Sequence, residues 1–103
     1  MEIVWSKKAQ LSLEVIHQFY IRLYGKKKAR EIKNDILDTP DILEFHPFSG
    51  KTEERFSEEE NNKIVRALIQ QHCKILYEVI ENQDVILILA VFDTRQDPNK
   101  MSI

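Results

Sequence analysis

The amino-acid sequence predicts an α+β fold in the order β-α-α-β-β-β, a helical hairpin packed on one face of a twisted antiparallel sheet. Three observations carry this reading. The C-terminal part holds three β-type runs, at about 63–70, 74–80 and 84–92, separated by the polar pairs Gln71-His72 and Asn82-Gln83. Those links are short enough for antiparallel hairpins. Two segments of helical periodicity precede them, joined at a single glycine, Gly25. Helical and strand patterns are segregated along the chain rather than alternating, which separates α+β from α/β architecture.

Each element has its own warrant. Glu2-Ile3-Val4-Trp5 is a short strand, and Ser6 stands where an N-cap hydroxyl accepts from an orphan N–H of the first helical turn. Ala9, Leu13, Ile16, Tyr20 and Leu23/Tyr24 recur on one helical face. Gly25 fits the position after that helix, where a left-handed backbone is wanted. The second helix puts Ala29, Ile32 and Ile36/Leu37 on one side and Lys26, Lys27, Lys28, Arg30 and Lys33 on the other. It stops at Asp38-Thr39-Pro40, because proline disfavours helix at the residue before it. From Pro40 to Asn62 no period is clean, and the stretch contains His46-Pro47-Phe48-Ser49-Gly50 and an acid-rich segment from Glu53 to Glu60. A loop of that length is either functional or ordered into short turns. The last run, Val85 to Phe92, is unbroken in its apolar character and so predicts a central strand covered on both faces.

The 103 residues predict one domain, 1–103, with room for one core. A net charge of −2 excludes a bulk polyanion binder, though local patches remain open. No signal peptide is legible, and the longest apolar run is far short of the roughly 20 residues that cross a bilayer. A cytoplasmic protein without membrane attachment is expected.

Few residues offer chemistry. Cys73 has no base placed beside it by the sequence and reads as a small residue at a strand start. His17, His46 and His72 lack metal-ligand spacing, and there is no Gly-rich phosphate loop, nucleophile elbow or C-x-x-C pair. No metal or cofactor is expected. What remains is cationic: Arg66 within the first run, Lys74 at the start of the second and Arg95 just after the third. A guanidinium is costly to bury unpaired, so Arg66 is expected to reach an open face. If the three converge there, they form a concave patch suited to phosphate. Structural pairing is the equal alternative, Arg66 with Glu78 across the hairpin and Arg95 with Asp93 or Asp97. Lys26 to Lys33 is a second cationic surface that reads equally as a solvated helix face. Trp5, Phe45, Phe48 and Phe56 fit core or partner contact alike.

In order and spacing the chain resembles the RelE/ParE superfamily of type II toxin–antitoxin toxins. The resemblance rests on Ile3-Val4-Trp5-Ser6-Lys7-Lys8-Ala9, Leu13, Ile16, His46-Pro47-Phe48-Ser49-Gly50, Arg66-Ala67-Leu68-Ile69, His72 to Val79 and Val91 to Pro98. It implies a small bacterial protein that inhibits growth and is neutralised by a partner antitoxin, with DNA gyrase or the ribosome and its mRNA as target. By position, Lys74 and Arg95, with Arg66, would be the catalytic cations of a ribosome-dependent endoribonuclease, stabilising charge on the transferring phosphate. Where some such nucleases carry a catalytic tyrosine, six residues after that arginine, this chain has Met101. The resemblance therefore leans to the ParE-like, gyrase-directed branch, with the nuclease and an inactive antitoxin-binding member as alternatives. An acidic amphipathic antitoxin segment is expected to dock on a cationic sheet face and the exposed hairpin.

Overall fold

A computed structural model describes residues 1–96 and 103. Strand β1 (Glu2–Trp5) leads into helix α1 (Lys7–Tyr24) and helix α2 (Lys26–Asp38). Strands β2 (Lys51–Thr52), β3 (Val65–Gln70), β4 (Cys73–Ile80) and β5 (Val85–Asp93) follow. The sheet order is β1-β5-β4-β3-β2. The predicted α+β class and element order hold, with two refinements. The sheet is mixed, because β1 pairs parallel with β5 while the other neighbours are antiparallel. Covering helices, rather than a hairpin, follow β1, which leaves it free to run parallel to its neighbour. The other refinement is β2, two residues too short to show a period.

Ser6 caps α1 as the sequence predicts, its Oγ accepting from Ala9 N at 3.0 Å. Ala9, Leu13, Ile16 and Tyr20 are the buried face of α1, but Leu23 and Tyr24 emerge at its end. Gly25 closes α1 and opens α2 with φ +85° and ψ 168°, a region open essentially to glycine alone. Ala29, Ile32 and Ile36 then bury, while Leu37 stays at the surface.

One core lies between the hairpin and the sheet, where the helical residues meet Cys73, Ile75, Tyr77, Ile86, Ile88 and Val91. A smaller cluster on the opposite face joins Val65, Ala67 and Leu76, flanked by Phe56, Leu89, Phe92 and Ile103. So β5 is a central strand flanked by β1 and β4, as its apolar run predicts, but only its helix side is fully buried, with Val85, Leu87, Leu89 and Phe92 half-buried. Leu76 pairs with Ala90 but Tyr77 with Ile88, so Leu89 is an extra residue that bulges β5. Past Ile88 β1 has ended, and α1 takes over that edge. Ser6 Oγ donates to Leu89 O at 3.3 Å, and Ser12 Oγ accepts from Val91 N at 3.0 Å. Thus Leu89 O and Val91 N, at and beside the bulge, are satisfied by the hydroxyls of the capping Ser6 and of Ser12 on α1.

The aperiodic stretch resolves into short turns. Thr39–Glu44, Glu54–Phe56 and Glu59–Asn61 are 3₁₀ helices, and Glu58 bridges to Lys63. Among the described residues no helix is long and apolar enough to cross a membrane.

Candidate functional site at the end of the last strand

Asp93, the last residue of β5, shares the helix side of the sheet with Val91 and is completely buried. A carboxylate in that position requires donors on all its lone pairs. Its Oδ1 accepts from the Arg95 backbone N–H at 2.8 Å and from Nε at 3.1 Å, and its Oδ2 from Arg95 Nη2 at 2.8 Å. The Tyr20 hydroxyl donates the last bond to Oδ2 at 2.5 Å. The Arg95 guanidinium in turn lies 5.9 Å from the centre of the Tyr20 ring and donates to the Tyr24 hydroxyl at 3.4 Å. Tyr20 and Tyr24 are four residues apart on α1, so one helical face delivers both phenols to one arginine.

The site's protonation follows from these contacts. Burial raises the Asp93 carboxyl, but the bonds from Arg95 and Tyr20 outweigh it and hold the group down at about 2. Burial, then the bond to Asp93, pushes the Tyr20 phenol far up. The Cys73 thiol, 3.4 Å from the Tyr20 hydroxyl, is raised by burial as well. Arg95 is raised chiefly by its bonds to Asp93. At neutral pH the site is therefore an ionised pair beside a neutral phenol and a neutral thiol, and neither of the last two is a ready base or nucleophile. Beside this pair a cleft of about 230 Å³ is lined by Tyr24, Lys28, Gln71, His72 and Arg95. Its chemistry suits an anion.

The other two sequence-predicted cations lie elsewhere. Arg66 faces Tyr77 in the β3–β4 ladder, whereas Lys74 faces Ile69, so the two project from opposite faces of the sheet. Arg66, half-buried, is turned to backbone carbonyls rather than to Glu78. It donates to the Gly50 carbonyl at 3.0 Å and the Phe48 carbonyl at 3.3 Å, with its guanidinium 5.4 Å from the centre of the Phe48 ring. Lys74 is paired with Glu53 at 3.0 Å. Hence the three do not converge: Arg66 and Lys74 are an odd number of positions apart across the hairpin register, and Arg95 lies in the turn beyond β5, held on Asp93. The sheet face expected to be cationic is instead the smaller apolar cluster, edged by the Lys74–Glu53 pair. Met101 lies outside the described residues.

Asp93 is one of the two partners the sequence offers Arg95, whereas Tyr20, Tyr24 and Lys28 belong to the site with no mark beyond their helix positions. Tyr20 carried only the mark of a core position, and the Asp93-x-Arg95 spacing was the one available hint of the pair. Cys73 is buried at the start of β4, as its sequence reading has it. Among the described residues no group of three or more His, Cys, Asp and Glu is placed to hold a metal ion.

A comparison with curated proteins finds no match. A solved structure described as "Chromosomal ParDE TA system from P. aeruginosa" contains a chain that aligns with a TM-score of 0.74. The alignment covers 90% of this chain and 95% of that one at 24% identity, a likeness of fold. Residues 3–98 match the family described as "ParE toxin of type II toxin-antitoxin system, parDE". That match spans nearly the whole chain, hairpin, sheet and Arg95 turn included, and the chain therefore belongs to the ParE toxin family of type II toxin–antitoxin systems.

Proposed function

We propose that this chain is the growth-inhibiting toxin of a two-protein pair, active in the cytoplasm and held in check by a cognate antitoxin, and that it acts on DNA gyrase rather than by cutting mRNA. The separation of the three cations supports this most directly. A nuclease needs charge gathered around one scissile phosphate, with a group to move the nucleophile's proton. Here Arg66 is spent on carbonyls, Lys74 on Glu53 and Arg95 on Asp93. A toxin that binds a protein target has no such requirement. The basic side of α2 and the exposed Leu11 and Val15 on α1 offer an acidic amphipathic antitoxin segment both charge and apolar contact.

A second reading, a ribosome-dependent endoribonuclease, draws on the cleft where Lys28, His72 and Arg95 meet. Expression without antitoxin separates the two. Accumulation of gyrase–DNA breaks with intact mRNA supports the proposal. Cleavage of mRNA on translating ribosomes, lost in Arg95→Lys with the fold retained, overturns it in favour of the nuclease.

A further inference from the structure

The 3₁₀ helix Thr39–Glu44 carries a pattern that the Arg95 site does not use. A 3₁₀ helix has three residues per turn, so residues three apart eclipse and form straight rows. Pro40 and Leu43 make one row and are fully buried, fixing the segment to the body of the protein. Asp41 and Glu44 make a second row, exposed and acidic. Ile42 and the capping Phe45 make the third, exposed and apolar, at 52% and 79% of their surface. The chain then turns at Pro47 and presents Phe48, also half exposed.

Pro40 and Leu43 anchor the ridge, and the turn that follows it is tied down by side-chain bonds. The Tyr77 hydroxyl accepts from Gly50 N at 2.9 Å and donates to the Pro47 carbonyl at 2.9 Å. Arg66 clamps the Phe48 and Gly50 carbonyls from the side. Aromatic side chains left in water on a fixed backbone lose little conformational freedom on docking, the property of interface anchors. Beside Ile42 and Phe45 the charged neighbours in the same 3₁₀ segment are both acidic, Asp41 and Glu44, while Arg66 stacks on Phe48 with its donors on the Phe48 and Gly50 carbonyls.

We infer that the ridge of Ile42 and Phe45, with Phe48 beside it, is a protein-docking surface for a basic amphipathic segment of a partner protein. Its apolar side chains would meet Ile42 and Phe45 while its lysines or arginines meet Asp41 and Glu44. Nucleic acid and anionic membranes carry the wrong charge for this face. The inference does not depend on the gyrase reading, since it rests only on the exposure and charge of the ridge itself.

The test titrates the isotopically labelled toxin with three peptides: a helical leucine/lysine repeat, its leucine/glutamate counterpart and a serine/lysine repeat. The leucine/lysine peptide is expected to bind best and to shift amide signals at residues 41–48. Phe45→Ala and Glu44→Lys, both at exposed positions and both checked for an unchanged Tm, are each expected to weaken it by about tenfold. Shifts centred on Glu58 to Glu60, equal binding of the serine/lysine peptide, or full affinity in Phe45→Ala would each overturn the inference. So would a concentration-dependent dimer of the toxin alone that is lost in Phe45→Ala, which would assign the ridge to a second copy.

Discussion

The Asp93 carboxylate binds the Arg95 guanidinium only two residues away, through Nε at 3.1 Å and Nη2 at 2.8 Å, and so closes the turn after β5 on itself. The carboxylate is 1% exposed and the guanidinium side chain 42%, so the arginine acts as a half-wet lid on a dry charge. Arg95→Ala leaves that charge with Tyr20 and one backbone N–H. The expected loss of stability is about 2 kcal/mol, below the roughly 3–5 kcal/mol of fully buried pairs because water reaches one partner. Urea denaturation measures it. Arg95→Lys should recover part of the loss, and only that comparison separates a functional role of Arg95 from a structural one.

Acid should find the same pair. The Asp93 carboxyl is held down at about 2 against an ordinary 3.8. A depressed carboxyl stabilises fully above its unfolded value and loses that contribution as pH falls through its folded value. The wild-type Tm is therefore expected to fall more steeply between pH 4 and pH 2 than that of Asp93→Asn. Parallel slopes in melts recorded across that window would remove Asp93 from the account.

Gly25 is expected to resist replacement although nothing crowds it. A Cβ there meets no atom within 4 Å, yet φ is +85° with ψ at 168°. Gly25→Ala should cost about 1–3 kcal/mol through backbone strain alone. The loss should appear in chemical denaturation with the spectrum of the folded state unchanged.

Tyr77→Phe tests the clamp on residues 47–50. Removing one oxygen strands the Gly50 N–H and the Pro47 carbonyl, at about 1–3 kcal/mol. Amide exchange should quicken at Gly50 before it changes in the helical hairpin. A Cβ on Gly50 would sit 2.5 Å from the same hydroxyl, so Gly50→Ala is expected to open the same turn.

Cys73 is expected to stay silent toward thiol reagents in the folded protein. It is buried, and burial pushes its thiol up. Labelling in native buffer should follow the rate of unfolding and become fast only in denaturant. Fast labelling of the native protein would show that the Tyr20–Cys73 contact opens readily.

Much of this fold was legible because its elements are periodic. Ala9, Leu13, Ile16 and Tyr20 mark a helix by spacing, and Val85 to Phe92 marks a central strand by being apolar throughout. The partner of β1 was not legible, since four residues carry no information about which edge they join or in which direction. Nor was the bulge at Leu89, whose compensation comes from Ser6 and Ser12 on another element. The site was half legible. Arg95 stood out, but Tyr20 looked like any core residue, and its hydroxyl gains meaning only where α1 crosses the end of β5. The separation of Arg66 from Lys74 is legible in principle. With Gln71-His72 as a two-residue turn, Gln70 faces Cys73, so Arg66 must face Tyr77 and Lys74 must face Ile69.

The parallel pairing of β1 with β5 also sets when the protein becomes itself during synthesis. Glu2 finds its partner at Val85 and Trp5 at Ile88, contacts that nearly span the chain. While a ribosome is still producing β5, the first strand and the inner face of the hairpin have no sheet to close on. Asp93 and Arg95 follow β5 in the chain, so the turn that completes the Tyr20 site cannot form before that strand is made. A chain that stops short of β5 therefore holds neither the parallel pair nor the Tyr20 site.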